Sequence, residues 1–245
     1  MRNALFAAFA ALTLGASLQG AEAWKSKPVP EWTREETIQF FRTSPWVRQV
    51  SVSAGPSQSG QSLLSRPTFE GMTLGGQGCL SCAHIEPRVE QPRSGTGGQS
   101  ATTATTYLIQ WTSARIVRQG FAHLLTLQGQ GAEDSDPAPL DVFVVTVGGV
   151  DLQAFEGIEE SELQKEAWLR PKKSKAKVSA SRINVLRGND GRISVIHFGF
   201  PREQDSRPVI DDAEKTVEFR CRVRDQTLKA EFDLRTMVLQ GIRDL

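Results

Sequence analysis

Thr106-Tyr107-Leu108-Ile109-Gln110-Trp111-Thr112-Ser113-Ala114-Arg115-Ile116-Val117-Arg118 changes its hydrophobic period halfway along. The first seven residues are rich in β-branched and aromatic side chains and contain no Gly or Pro, the composition of a strand. From Ser113 the apolar positions Ala114, Val117, Phe121, Leu124 and Leu125 recur at three- and four-residue steps, one face of a helix. Ser113 is placed to cap that helix through its hydroxyl, and Gly129 and Gly131 to stop it. Arg115, Arg118, Gln119 and His123 fall on its other faces. An acidic, proline-containing loop, 131–139, leads to Leu140–Val147, a continuous apolar run expected of a strand covered on both faces. Strands joined by a helix usually lie parallel with a right-handed crossover, so this unit is expected at the sheet centre as a parallel pair.

Outward from that unit, Thr33-Arg34-Glu35-Glu36 is a capping box in which Thr33 and Glu36 satisfy each other's backbone N–H groups. Ile38 and Phe41 stripe the helix that follows. Ser44-Pro45 ends it, because the residue before proline avoids the α region. Trp46 to Val52 then reads as a short strand, with Trp32 and Trp46 as packing residues. A second helix is expected over Glu156–Leu169, stopped at Arg170-Pro171. Arg182–Leu186 and Arg192–Phe200 flank Gly188-Asn189-Asp190-Gly191, a strong hairpin turn. Val217–Val223 and Leu228–Leu234 form a second hairpin, where strict alternation of apolar and charged residues calls for one buried and one wet face. The fold expected is α+β: a mixed sheet with the central strand-helix-strand unit, C-terminal antiparallel hairpins, and two or three helices on one side.

Residues 1–23 have the form of a secretory signal peptide. Arg2 supplies the charged start, Ala4–Leu18 the apolar stretch and Ala21-Glu22-Ala23 a small-x-small cleavage site, so Trp24 is the expected mature N-terminus and the expected location is periplasmic or secreted. The apolar stretch is too short to span a bilayer comfortably. Residues 24–52 supply the N-terminal helix and strand. Residues 53–103, dense in Gly, Ser, Gln, Pro and Thr, read as a disordered linker, and 104–245 form the main domain. With 29 Lys and Arg against 28 Asp and Glu, the formal net charge is +1. Loss of the signal removes one Arg and one Glu and leaves the balance unchanged. Such balance argues against a dedicated nucleic-acid binder.

Trp24-Lys25-Ser26-Lys27-Pro28, Glu31-Trp32-Thr33, Ser44-Pro45-Trp46, Ile109-Gln110-Trp111 and Phe232-Asp233-Leu234 with Met237-Val238 and Gln240-Gly241 resemble a family of small exported bacterial proteins, mainly acidobacterial, of unknown function. The resemblance covers both ends and the central unit. It implies export and a glycine-rich linker where this chain has Ser53–Thr103, and it implies no site residue. Cysteines within the linker are not a feature of that family.

Gly78-Cys79-Leu80-Ser81-Cys82-Ala83-His84 is the stretch with most chemical content. Covalent haem attachment requires His directly after the second Cys, and Ala83 intervenes. A papain-like nucleophile requires Gly and Trp where Leu80 and Ala83 stand, and no Asn follows His197 to orient its ring. Two readings remain. Cys79, Cys82 and His84 would supply three zinc ligands, with Cys221 or another His as the fourth. Alternatively Cys79 and Cys82 pair as a local disulfide in an oxidising compartment, leaving Cys221 as a small hydrophobe on a strand. His123 and His197 are singletons and read as structural. No P-loop, nucleophile elbow, recognisable carboxylate pair or EF-hand occurs. The expected function is therefore a non-catalytic binding or structural role, with no catalytic residue and no cofactor. The alternative is a thiol-dependent metal or redox activity at Cys79 and Cys82. Lys172, Lys173, Lys175 and Lys177 form a basic cluster that reads as a solvated loop, with weak contact to an anionic surface as its functional reading.

Overall fold

The computed structural model describes residues 22–53, 104–130 and 140–245. The leader up to Ala21, most of the linker with Cys79, Cys82 and His84, and the loop containing Gly131 lie outside the described residues. Along the chain come α1 (Ala23–Ser26), α2 (Arg34–Thr43), β1 (Val47–Ser53), β2 (Ala104–Trp111), α3 (Arg115–Leu127), β3 (Val142–Gly149), α4 (Glu160–Glu166), β4 (Ala167–Pro171) and β5 (Val178–Ser179). They are followed by β6 (Arg182–Arg187), β7 (Ile193–Pro201), β8 (Glu203–Gln204), β9 (Arg207–Pro208), β10 (Thr216–Val223), β11 (Gln226–Asp233), β12 (Val238–Leu239) and β13 (Ile242–Arg243). No helix among the described residues is long and apolar enough to cross a membrane.

Two sheets carry the fold, ordered β1-β2-β3-β7-β6 and β11-β10-β4-β5. Their inner faces meet through aromatic pairs: Phe198 with Phe219 at 5.5 Å between centroids, and Trp111 with Phe232 at 5.3 Å. One pair of edges is bridged by Arg48 of β1, whose Nε donates to the main-chain oxygen of Glu231 on β11 at 2.7 Å. On the other side the chain passes directly from β5 to β6, with Ala180 N–H bonding Ala167 and Ser181 N–H bonding Gly199.

The α+β class holds, but the sheets are antiparallel throughout, not mixed. In particular β2 and β3, expected parallel, pair antiparallel with Trp111 opposite Val145. Thr112 N–H bonds Val144 O at 2.8 Å, so the chain leaves β2 beside the start of β3. α3 packs on α2, where Phe41 stacks on Phe121 at 4.3 Å, instead of carrying the chain to the far end of the sheet. The right-handed crossover rule governs only connections that make that journey.

The expected helix over Glu156–Leu169 is also shorter than its pattern. α4 ends at Glu166. Ala167, Leu169 and Pro171 turn inward on β4, paired with Cys221, Phe219 and Val217 of β10. Ala167 fits a helical stripe with Leu163 as well as a strand alternation with Leu169, and the pairing with β10 selects the strand. α4 packs against β10 and β6, apart from α2 and α3.

Other expectations stand. Thr33 N–H bonds Glu36 Oε2 at 2.8 Å and Glu36 N–H bonds Thr33 Oγ1 at 3.2 Å, the complete capping box. Trp32 and Trp46 are both buried. Gly129 follows the end of α3 with φ +73°, the left-handed conformation that glycine adopts without a Cβ penalty. Both C-terminal hairpins form, and Val217, Phe219, Cys221 and Val223 all face the core.

The cap of α3 differs. Ser113 makes no cap; the carboxylate of Asp244 accepts Arg115 N–H at 2.7 Å and Ile116 N–H at 2.9 Å. The main-chain oxygen of the same residue accepts Trp46 Nε1–H at 2.8 Å. An acidic side chain at a helix N-terminus satisfies free donors and complements the helix dipole, and here it also fastens β13 to both α3 and the core.

Candidate functional site

Alternation along β10 sends Glu218, Arg220 and Arg222 to the outer face of the four-stranded sheet. The register sets Glu218 opposite Glu231 and Arg220 opposite Lys229 across β11, like-charge pairs that disfavour a sheet. Contacts along β10, diagonally across β11 and directly across β4, where Arg170 is the register partner of Glu218, reverse the balance. Arg220 Nε lies 2.6 Å and Arg170 Nη2 3.0 Å from Glu218 Oε1, while Lys229 Nζ and Lys172 Nζ lie 3.2 and 3.4 Å from Oε2. Lys172 and Lys229 also reach Glu231 at 2.9 and 3.1 Å. These long side chains leave Glu218 with no exposed surface. Burial by itself pushes the Glu218 carboxyl upward, but the bonds from Arg220 and Lys229 outweigh it and hold the group down at about 2. This glutamate is permanently ionised at neutral pH and cannot serve there as a general acid.

The basic cluster Lys172–Lys177 is a built turn. Glu214, 1% exposed, accepts Lys173 N–H at 2.9 Å and Ser174 N–H at 2.7 Å. Lys175, at φ +57°, returns its N–H to Pro171 O. Lys177 Nζ sits 4.0 Å above the Trp168 ring, a cation–π contact. The sequence places no aromatic among the lysines; β4 brings one from outside the cluster. Lys172 is spent on Glu218 and Glu231, whereas Lys173 and Lys175 are exposed and enter no ion pair among the described residues.

A second cationic cluster lines a cleft of about 410 Å³ at the N-terminus of α3. Arg115 and Arg118 come from α3, Arg202 from the turn after β7 and Arg243 from β13, with Asp212 and Asp244 as the acidic residues of the lining. Arg202 lies 4.4 Å over the Phe143 ring, and it donates to the main-chain oxygens of Leu140 at 2.9 Å and Leu245 at 2.8 Å. Arg243 is held by three more, those of Asp211, Asp212 and Glu214. Burial first, and then the neighbouring charge of Arg118, lowers the Arg202 pKa.

The remaining reactive side chains are tied into structure. Burial in the core pushes the Cys221 thiol up to about 12, with the charge of Glu166 adding to it, so this free thiol is a poor nucleophile. His123, read on a polar face of α3, is buried, and its Nε2 lies 2.8 Å from Trp32 O. His197 Nδ1 bonds Thr146 Oγ1 at 2.8 Å, and Thr146 in turn bonds Thr112. Gln110, Thr146, His197 and Asn184 thus form a cross-strand polar row on the face away from the second sheet.

Cys79, Cys82 and His84 lie outside the described residues. Among the described residues no group of three His, Cys, Asp or Glu side chains is placed to hold a metal ion. Glu218, Glu214, Arg202, Arg243 and Asp244 emerge only from the structure. Their sequence signal is slight: mixed charges on the wet face of a hairpin, and isolated charges in short turns. No family model, no curated protein and no solved structure matches the chain.

Proposed function

We propose that this is an exported, non-catalytic binding protein whose basic turn and the adjoining outer sheet face contact an acidic polymer outside the cytoplasm. The observation that carries the reading is the Glu214-anchored turn. It holds Lys173 and Lys175 exposed beside Lys177 and Trp168. A pre-ordered cationic turn loses little entropy on binding, and an aromatic ring among cations suits a charged, ring-containing polymer. Among the described residues the exposed large hydrophobics, Leu127, Val150 and Ile242, lie elsewhere, which favours a polymer over insertion into a lipid layer. The inert Cys221 thiol, the ionised Glu218 and the bonded histidines support a non-catalytic role. The leader pattern and the resemblance to small exported bacterial proteins support export.

The test is binding of the purified protein to an acidic polysaccharide at low salt, with anionic and neutral lipid vesicles alongside. Saturable, salt-sensitive polymer binding that weakens several-fold in Lys173→Ala/Lys175→Ala is expected. Polymer binding unchanged in that variant, or binding to anionic vesicles alone, overturns the reading.

A further inference from the structure

The arginine cleft is a different kind of cationic cluster. We propose that it is a binding site for a small oxyanion, the carboxylate or phosphate group of a low-molecular-weight ligand, held by Arg202, Arg243 and the hydroxyl of Ser113. This site stands apart from the polymer-binding face and does not depend on it.

Counter-charge is the first ground. Arg243 is oriented by main-chain carbonyls and enters no ion pair with a carboxylate among the described residues, whereas Arg202 divides its donors between the Leu140 carbonyl and the carboxyl end of the chain at Leu245. A guanidinium has five N–H donors in a planar fork. The carbonyls of Asp211, Asp212 and Glu214 aim the Arg243 fork without neutralising it and leave its Nε–H and one Nη1–H over; Arg202, beside its contact with the carboxyl end of the chain at Leu245, keeps its Nη1 donors for an oxyanion. Arg115 and Arg118 add positive charge to the same lining, against Asp212, Asp244 and the carboxyl end of the chain at Leu245.

The second ground is Ser113. It lines the cleft, is 1% exposed, and its Oγ has no hydrogen-bond partner. A buried hydroxyl without a partner is a standing cost in a folded protein, and a ligand oxygen in the cleft would remove it. This residue looks like a helix cap by sequence, yet Asp244 took that role and left the hydroxyl over.

The third ground is the place itself. Asp244 already sits on two amides at the start of α3, which shows a carboxylate oxygen stable at this helix end. A ligand need not displace it. The volume of about 410 Å³ exceeds what one phosphate fills and leaves room for the body of a small molecule along Phe143 and Ile210.

The experiment titrates the full exported chain with sodium phosphate and, separately, with sodium benzoate, against sodium chloride at matched ionic strength. Backbone amide NMR and thermal unfolding are the readouts. Saturable shifts at Ser113, Arg115 and Arg118 with either oxyanion, absent with chloride, are expected; which probe binds more tightly assigns phosphate or carboxylate. Ser113→Ala should fold as the parent does and bind several-fold more weakly. Arg243→Gln should lose roughly tenfold, the effect of removing one charge-assisted fork. If Arg243→Gln fails to fold, Ser113→Ala alone decides. Lys173→Ala/Lys175→Ala should bind the small anions unchanged, so failure here and failure of polymer binding are separable. Absence of a saturable response to both oxyanions, or a response equal to that of chloride, overturns the proposal. So does full affinity in Ser113→Ala.

Discussion

The outer face of the four-stranded sheet and the arginine cleft each gather four cationic side chains, and they compensate them in opposite ways. On the sheet, Arg170, Lys172, Arg220 and Lys229 all lie within 3.4 Å of one carboxylate, that of Glu218. In the cleft, Arg243 is held by three main-chain carbonyls, which orient a guanidinium without cancelling its charge, while Arg202 divides its donors between the Leu140 carbonyl and the carboxyl end of the chain at Leu245. A cationic cluster with an acid at its centre is a way of building a sheet. One oriented by carbonyls is a way of presenting charge. Charge counting along the chain does not separate the two cases; the identity of the oxygen does.

The largest expected effect comes from removing that central acid. Glu218→Gln leaves Arg170 and Arg220 without their carboxylate and Lys172 and Lys229 with Glu231 alone, and should destabilise the protein by about 3 kcal/mol, the scale of breaking a covered ion pair. It should also change the pH profile. Arg220 and Lys229 hold the Glu218 carboxyl at about 2, below the ordinary glutamate value of 4.5, so the stability this group contributes is fully present above roughly pH 4.5 and is lost as pH falls toward 2. Denaturant unfolding across that window should show a steep loss in the parent and a flatter one in Glu218→Gln. A parent-like slope in the variant would place the acid sensitivity elsewhere.

The inner face of the same strand offers the next test. Cys221 is wholly buried among apolar side chains, and Cys221→Ser puts a hydroxyl there at an expected cost of about 2 kcal/mol. No change in the unfolding midpoint would mean that the face is wet or that the hydroxyl finds a partner.

Asp244→Ala should cost about 1 kcal/mol, the usual value of a helix cap, because α3 loses both side-chain acceptors. The Trp46 bond goes to main chain and should survive, so hydrogen exchange should quicken at Arg115 and Ile116 before it does at Trp46. Uniform quickening would show that the residue holds the fold globally.

The smallest effect falls on the exposed lysines. Lys173→Ala/Lys175→Ala should change stability by less than about 0.5 kcal/mol, since the turn is fixed through their backbone by Glu214. A larger loss in thermal unfolding would mean that the turn, like the sheet face, depends on its side-chain charges.

The capping box at Thr33, the end of α2 at Ser44-Pro45, the hairpin turns and the inward row of β10 are written in local sequence, because each depends on neighbours within a few positions. That much determined an α+β chain with C-terminal hairpins and an apolar Cys221. The antiparallel pairing of β2 with β3 depends on where α3 docks, and the strand at Ala167–Pro171 depends on β10 being there to pair with it. Glu218 reads from sequence as one charge on a wet face, and Ser113 as a helix cap. Tertiary structure gave the first four cationic partners and gave the second's role to Asp244, from the other end of the described domain. The physical reason is range: torsional preference and side-chain period act over one or two turns of chain, whereas counter-charge, burial and hydrogen-bond partnership are settled only when distant segments meet.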